Sequence, residues 1–231
     1  CLKKLHLRLN NGTPAWVCRN SSVEDLFLRY DSIGDLLVRD IAETLRDNTT
    51  LKTLKITFGG FVTEGFGWEA LFRSLRNNTT LETLDFSDNE LNDESLTCLM
   101  TVLSSNLTLK TLRLESLRHI TRDGWRTIAQ LYLRSPTCAL ESLYMGHNAI
   151  DSGTFRELGS SCWQNKSLKN LCLTLPTSDR ALNAPRCGWN PWLNQLTRIV
   201  WNKRSIIESY RSNHTLETIC YPVEEERLER D

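Results

Sequence analysis

Leu81-Glu-Thr-Leu84-Asp-Phe86-Ser-Asp-Asn89-Glu-Leu91 is the stretch that decides how this chain folds. It reads L-x-x-L-x-F-x-x-N-x-L. Apolar and polar residues alternate around Leu84 and Phe86, as they do in a strand buried on one face only. Aligning the rest of the chain on L-x-x-L-x-L gives starts at Leu2, Val23, Leu51, Leu81, Leu109, Leu140, Leu168 and Leu216. The intervals are 21, 28, 30, 28, 31, 28 and 48 residues. A unit of 28 residues, with two slightly longer variants, therefore accounts for the middle of the chain.

Each start predicts a strand with paired inward residues. These are Leu5/Leu7, Leu26/Leu28, Leu54/Ile56, Leu84/Phe86, Leu112/Leu114, Leu143/Met145, Leu171/Leu173 and Ile219/Tyr221. The second half of the unit carries a helical period. The trios Val38/Ile41/Leu45, Leu96/Leu99/Leu103 and Phe155/Leu158/Cys162 are spaced by three and four, which puts each on one helix face. Trp68/Leu71/Leu75 is displaced by two residues and Trp125/Ile128/Tyr132 by one. The extra residues are expected between strand and helix, in 59–67 and 117–122, where longer loops cost little closure entropy.

The first interval is too short for a helix, and Asn11-Gly12-Thr13-Pro14 predicts a turn there. In the last interval a helix is expected from about Val200 to Arg211, burying Ile206 and Tyr210. About twenty surplus residues then form an insertion near 176–196, with Trp189 and Trp192. The domain reading is one repeat domain over 1–221 and a charged C-terminal tail over 222–231.

The 231 residues hold 28 Lys+Arg and 28 Asp+Glu, so no net charge points to nucleic acid or to a membrane surface. No apolar run approaches the roughly 18 residues of a spanning helix. The chain opens at Cys1, inside a repeat, and the natural protein is expected to extend further towards its N-terminus. The lack of a signal peptide therefore carries no information. Eight cysteines show no Cys-x-x-Cys pair, and thiols are expected rather than disulfides.

Eight N-x-S/T sequons begin at Asn11, Asn20, Asn48, Asn77, Asn78, Asn106, Asn165 and Asn213. Six lie three residues before the first apolar residue of a repeat; Asn11 and Asn77 do not. Such phasing favours a structural role over glycosylation. The expectation is that each Asn ends a helix in the left-handed conformation. A cytoplasmic location follows from that reading, and a secreted one would follow if the sequons carried sugar.

The 28-residue period resembles the ribonuclease-inhibitor class of leucine-rich repeats. So do Asn89-Glu-Leu91-Asn-Asp93 and Asn148-Ala-Ile150-Asp-Ser-Gly153. The Asn-Thr-Thr-Leu junctions at 48–51 and 78–81 are similar to repeats of NOD-like receptors. The resemblance covers residues 1–221 and is strongest over 48–174. It implies an α/β fold: a right-handed horseshoe solenoid with a parallel concave sheet and convex helices. At Gly59, Leu117 and Pro176 the consensus Asn is absent, so altered turn geometry is expected there.

In such a solenoid the residues flanking the inward pair face the partner. The central column is His6, Phe27, Lys55, Asp85, Arg113, Tyr144, Cys172 and Cys220. From it Phe27, Lys55, Asp85, Arg113, Tyr144 and Cys172 are the candidate binding residues, with Phe27, Arg113 and Tyr144 as anchors. Cys172 and Cys220 are expected about two strand positions apart, with Cys187 as a conceivable third thiol. Charge is mildly polarised: five cations against two anions in residues 1–30, and the reverse from 222 onwards. No catalytic, metal or cofactor fingerprint is present, and the four histidines fall in different repeats. The function expected is non-enzymatic protein binding on the concave face, as a scaffold or as part of a larger regulator. The alternatives are a GTPase-activating protein of the Ran activator type and a ubiquitin-ligase substrate adaptor.

Overall fold

A computed structural model describes residues 2–9, 22–30, 35–58, 66–135, 137–173 and 215–220. Eight strands pair in parallel in chain order: β1 (Lys4–Leu9), β2 (Asp25–Tyr30), β3 (Thr53–Phe58), β4 (Thr83–Asp85), β5 (Thr111–Arg113), β6 (Ser142–Met145), β7 (Asn170–Leu173) and β8 (Thr218–Cys220). The register follows the aligned repeat, with Leu26 beside Leu54, Leu84 beside Leu112 and Leu143 beside Leu171. Five helical segments are described: α1 (Asp35–Arg46), α2 (Phe66–Leu75), α3 (Asp93–Leu103), α4 (Arg122–Thr127, continued as a π-helical turn over Ile128–Leu133) and α5 (Ser152–Gln164).

All five helical trios are buried, and they join the inward strand residues in one continuous core. No single repeat could bury its own apolar face. At about 1.5–3 kcal/mol per buried large side chain, stability resides in the stacking of neighbours. Trp68 is wedged against Phe58, Phe72 and Phe86, so one indole joins the cores of adjacent repeats. Helix starts are capped by side chains in the positions the repeat dictates. Asn92 accepts from the backbone N–H of Ser95, and Asp151 from that of Thr154.

The repeat junctions correct one expectation. Among the described residues the junction asparagines are not left-handed: Asn165 has φ −72° and ψ 137°, and the described non-glycine residues with positive φ are Asp88, Ser116 and His147. The Asn side chains act instead as bridges. Each Oδ1 of Asn48, Asn78, Asn106 and Asn165 accepts from the backbone N–H groups two and three residues ahead. The Nδ2 atoms of Asn78, Asn106 and Asn165 donate backwards into the preceding repeat. Asn78 reaches the carbonyls of Leu45 and Asn48, Asn106 those of Leu75 and Asn78, and Asn165 that of Leu133. The hydroxyl of the motif is used as well: Ser22, Thr50 and Thr215 donate to Leu2, Val23 and Leu168, the first apolar residues of the repeats before them. Buried backbone groups need partners, and this motif supplies them; that explains its phase. Asn20 and Asn213 lie outside the described residues.

The turn at Leu117 keeps its geometry without its own asparagine. Asn148 of the next repeat accepts from the Leu117 N–H at 2.7 Å and donates to the Leu114 carbonyl at 2.7 Å. Asn89 does the same two repeats earlier, joining the Phe58 N–H and the Ile56 carbonyl. Leu117 itself is buried. The three extra residues of this longest regular repeat are also placed differently from expectation. One precedes α4, and two follow the π-helical turn, around residues 134–139. The expected turn at 11–14, the insertion near 176–196, the helix at 200–211 and the tail lie outside the described residues, as do Gly59 and Pro176.

Candidate partner-binding surface

The helix-free face of the sheet is built by the residues that alternate with the core leucines. On β3–β6 these residues interlock. Lys55 Nζ lies 3.0 Å from Asp85 Oδ2, and Arg113 Nε lies 3.9 Å from the same oxygen. The other Asp85 oxygen accepts from the Ser87 N–H at 2.9 Å. Asp85 is almost fully buried, with 7% of its surface exposed, so these donors are what keep its charge tolerable there. Arg113 also donates to Glu115 at 2.7 Å and lies over the Tyr144 ring, 4.2 Å from its centroid. The Glu115 N–H donates in turn to the Ser87 hydroxyl. Two cations and two carboxylates thus hold one another in place beneath a partly exposed guanidinium.

At the other end of the face Phe27 stacks on His6, with centroids 4.2 Å apart and planes 5° apart, and Lys4 sits over the ring at 5.0 Å. Between the two clusters runs a shallow groove of about 590 Å³. Phe27, Lys55, Asp85 and Arg113 line it, together with Asp88, Ser116 and His147. These last three are the left-handed residues, one per repeat, and each precedes the turn asparagine or its leucine substitute. Left-handed backbone at non-glycine positions is uncommon and here marks a repeated, over-determined turn at the groove's edge.

The structure therefore brings four of the six candidates into one groove. Tyr144 supports Arg113 from the next strand and does not line the groove. Cys172 departs from expectation. With Tyr144 beside it in register, its short side chain keeps 9% of its surface, and it offers a partner little. Cys172 and Cys220 were expected two strand positions apart, but β7 and β8 pair directly and set them in register. Cys187 lies outside the described residues. Cys98, Cys138, Cys162 and Cys172 are in no disulfide. Burial pushes the Cys162 thiol up to about 12 and raises Cys98 as well, which disfavours the nucleophilic thiolate.

A second hollow, of about 1190 Å³, lies on the helix side between α2 and α3 and includes Trp68, Arg73, Asp93 and Cys98. Among the described residues no group of three or more His, Cys, Asp or Glu is placed to hold a metal ion.

One feature escaped the pattern analysis although it is plain in the sequence. The residue after the first apolar position of each repeat reads Lys3, Glu24, Lys52, Glu82, Lys110, Glu141, Lys169, Glu217. The backbone carbonyl at this position receives two N–H bonds from the following repeat at all seven boundaries. The side chains form an alternating column. Glu24 meets Lys3 and Lys52 at 2.8 Å each, and Glu141 meets Lys110 at 3.4 Å and Lys169 at 2.7 Å. Hydrogen bonds from the flanking lysines hold the Glu24 carboxyl down at about 2 and lower Glu141 too.

A one-strand-one-helix unit, repeated in register and bonded by bridging asparagines, fits the leucine-rich-repeat fold. No protein-family model matches the chain, and no curated protein matches it. Among solved structures it is similar to the leiomodin-1 actin-binding site 2, at 19% identity and a TM-score of 0.46, covering 67% of this chain and 77% of that one. It is also similar to TLR13 in its complex with ssRNA13, at 18% identity and a TM-score of 0.33, covering 75% of this chain and 29% of that one. Likeness this distant carries neither partner nor chemistry across to this chain.

Proposed function

We propose that this chain is a non-enzymatic protein-binding module of the ribonuclease-inhibitor repeat type, which holds its partner in the groove over β2–β5. The observation that carries the proposal is the preorganised Lys55–Asp85–Arg113–Glu115 network backed by Tyr144. Arg113 and Tyr144 are residue types that anchor interfaces. Their side chains are already ordered by mutual contact, so less freedom is lost on binding. Residues 1–221 act as one repeat domain in this reading. The absence of any catalytic fingerprint in the sequence supports binding rather than turnover.

A photo-reactive residue at position 88 or 116 should cross-link one specific protein, whereas the same residue at Thr101, on the helix side, should not. The double substitution Arg113→Ala plus Tyr144→Ala should weaken that complex at least tenfold while the fold is kept. Equal cross-linking from both faces would sink the proposal. The zero net charge is the ground for choosing a protein over a nucleic acid. Binding of single-stranded RNA with a steep salt dependence would reverse that choice.

The cytoplasmic location is part of the same proposal. It is supported by the buried amides of Asn78, Asn106 and Asn165, whose nitrogens are engaged in backbone bonds. Intact mass of the native protein tests it: hexose-rich increments removable by an amidase would place the protein in a secretory compartment.

A further inference from the structure

On the side of the sheet where the strands begin, the alternating column runs Glu24, Lys52, Glu82, Lys110, Glu141, Lys169. Within the chain it is unevenly paired. Lys52 turns to Glu24, and Lys110 and Lys169 both turn to Glu141. Glu82, between Lys52 and Lys110, is exposed and forms no ion pair with either. The paired members stay open to a partner as well, their side chains keeping from 29% to 53% of their surface. At the middle of the column stands Leu107, 62% exposed and the most exposed large apolar side chain among the described residues. It lies two residues before the first apolar position of its repeat. The repeats beginning at Leu51, Leu81 and Leu168 carry Thr49, Thr79 and Lys166 there, and the one at Leu140 carries the buried Cys138.

We propose that this face docks a second copy of the chain about a two-fold axis crossing the column between Glu82 and Lys110. An alternating column is antisymmetric about such a point. The rotation sets Glu82 against Lys110 of the other copy, Lys52 against Glu141 and Glu24 against Lys169, each pair opposite in sign and each made twice. An axis through any one member would set like charges together instead, so charge forbids half of the possible registers. Of those left, the axis between Glu82 and Lys110 brings the two Leu107 side chains together and gives the unpaired Glu82 a lysine at the centre. The result is a small apolar centre inside a charged rim. The contact is isologous, the same patch on both copies, so it closes at a dimer. None of these residues lines the groove over β2–β5, and the dimer stands independently of the function proposed for that groove.

Sedimentation velocity of the chain over rising concentration is the test. Wild type should form a dimer and nothing larger, with a dissociation constant of about 100 µM or tighter, weaker as salt screens the pairs. Leu107→Glu puts two like charges at the axis and should weaken the dimer at least tenfold; the side chain is exposed, so the fold is kept. Glu82→Lys and Lys110→Glu each set like charges across the axis and should do the same. An equimolar mixture of these two variants restores opposite signs across the axis and should recover the dimer. A column that only stabilises its own chain would give no such rescue. If Lys110→Glu fails to fold by circular dichroism, Glu82→Lys and Leu107→Glu against wild type still decide. A wild type that stays monomeric or grows beyond a dimer, variants that dimerise as wild type does, or a mixture no tighter than its components would each overturn the proposal.

Discussion

The repeat beginning at Leu81 and the one beginning at Leu109 reach the same geometry with different residues. Both place a three-residue strand in register, Leu84 beside Leu112, and both turn through a left-handed residue, Asp88 with φ 60° and Ser116 with φ 58°. The first has the full set of consensus groups: Asn89 in the turn, a regular α3, and Asn106 at the junction. The second has Leu117, a helix that widens into a π turn, and Thr137. Its backbone is tied down by side chains of other residues. Asn148 reaches back to the Leu117 N–H, and the Thr137 hydroxyl donates to the Ser104 carbonyl at 2.7 Å. The contrast teaches that the repeat is a set of backbone demands to be met at each boundary, from either side of it. Residue identity can drift wherever a neighbour supplies the group.

The sharpest way to break the equivalence is to charge the shared core. Leu84→Asp and Leu112→Asp should each cost more than about 4 kcal/mol, because both side chains are fully buried. Chemical denaturation followed by circular dichroism should show several repeats lost together in each case. If Leu112→Asp melted only part of the signal while Leu84→Asp melted all of it, the two repeats would not share one cooperative core. Next comes the bridging asparagine. Asn148→Ala leaves the Leu117 N–H and the Leu114 and Met145 carbonyls short of a partner. Asn89→Ala does the same to Phe58, Ile56 and Phe86. Each should cost about 2–4 kcal/mol at roughly 1–3 kcal/mol per unsatisfied buried group. A loss below about 1 kcal/mol for Asn148→Ala would show that the Leu117 turn does not depend on its neighbour.

A smaller effect is expected where the two repeats touch. A Cβ on Gly124 would collide with Asp93 Oδ1 and meet Ile120 Cγ2 at 2.7 Å, because Asp93 reaches across to accept from the Thr121 N–H. Gly124→Ala should therefore cost about 1–3 kcal/mol, although alanine is the better helix former. A rise in melting temperature would mean that Asp93 gives way freely. The smallest effect concerns acid. The Glu24 carboxyl sits at about 2, below its ordinary 4.5, so its contribution is complete above the unfolded value and is lost as pH falls towards 2. The pair is exposed and the contribution modest. Melting temperatures between pH 6 and 2 should fall slightly less in Glu24→Gln than in wild type, and identical slopes would remove the ladder from any role in acid stability.

Much of this molecule was legible in one dimension. The starts of all eight strands, the five buried trios and the phase of the sequons follow from periodicity, because a repeat must bury the same positions each time. The candidate groove was legible only in part. The columns were readable, but not that Arg113 is bound up with Asp85, Glu115 and Tyr144, nor that Cys172 is buried beside Tyr144. Those depend on side chains from neighbouring strands, separated by roughly a repeat length in sequence. The Lys/Glu column is written in the sequence too, but in the charges between the apolar positions, which apolar spacing does not register.

The sequence by itself determined the unit, its length and the direction in which its apolar residues face. These are properties of one repeat, set by local alternation and helical period. The tertiary structure decided how each boundary satisfies its hydrogen bonds: that the junction asparagines bridge backwards instead of turning left-handed, and that Asn148 serves a turn that has lost its own asparagine. The physical reason is that a buried N–H or carbonyl accepts a partner from any repeat within reach, and only the stack shows which repeat that is.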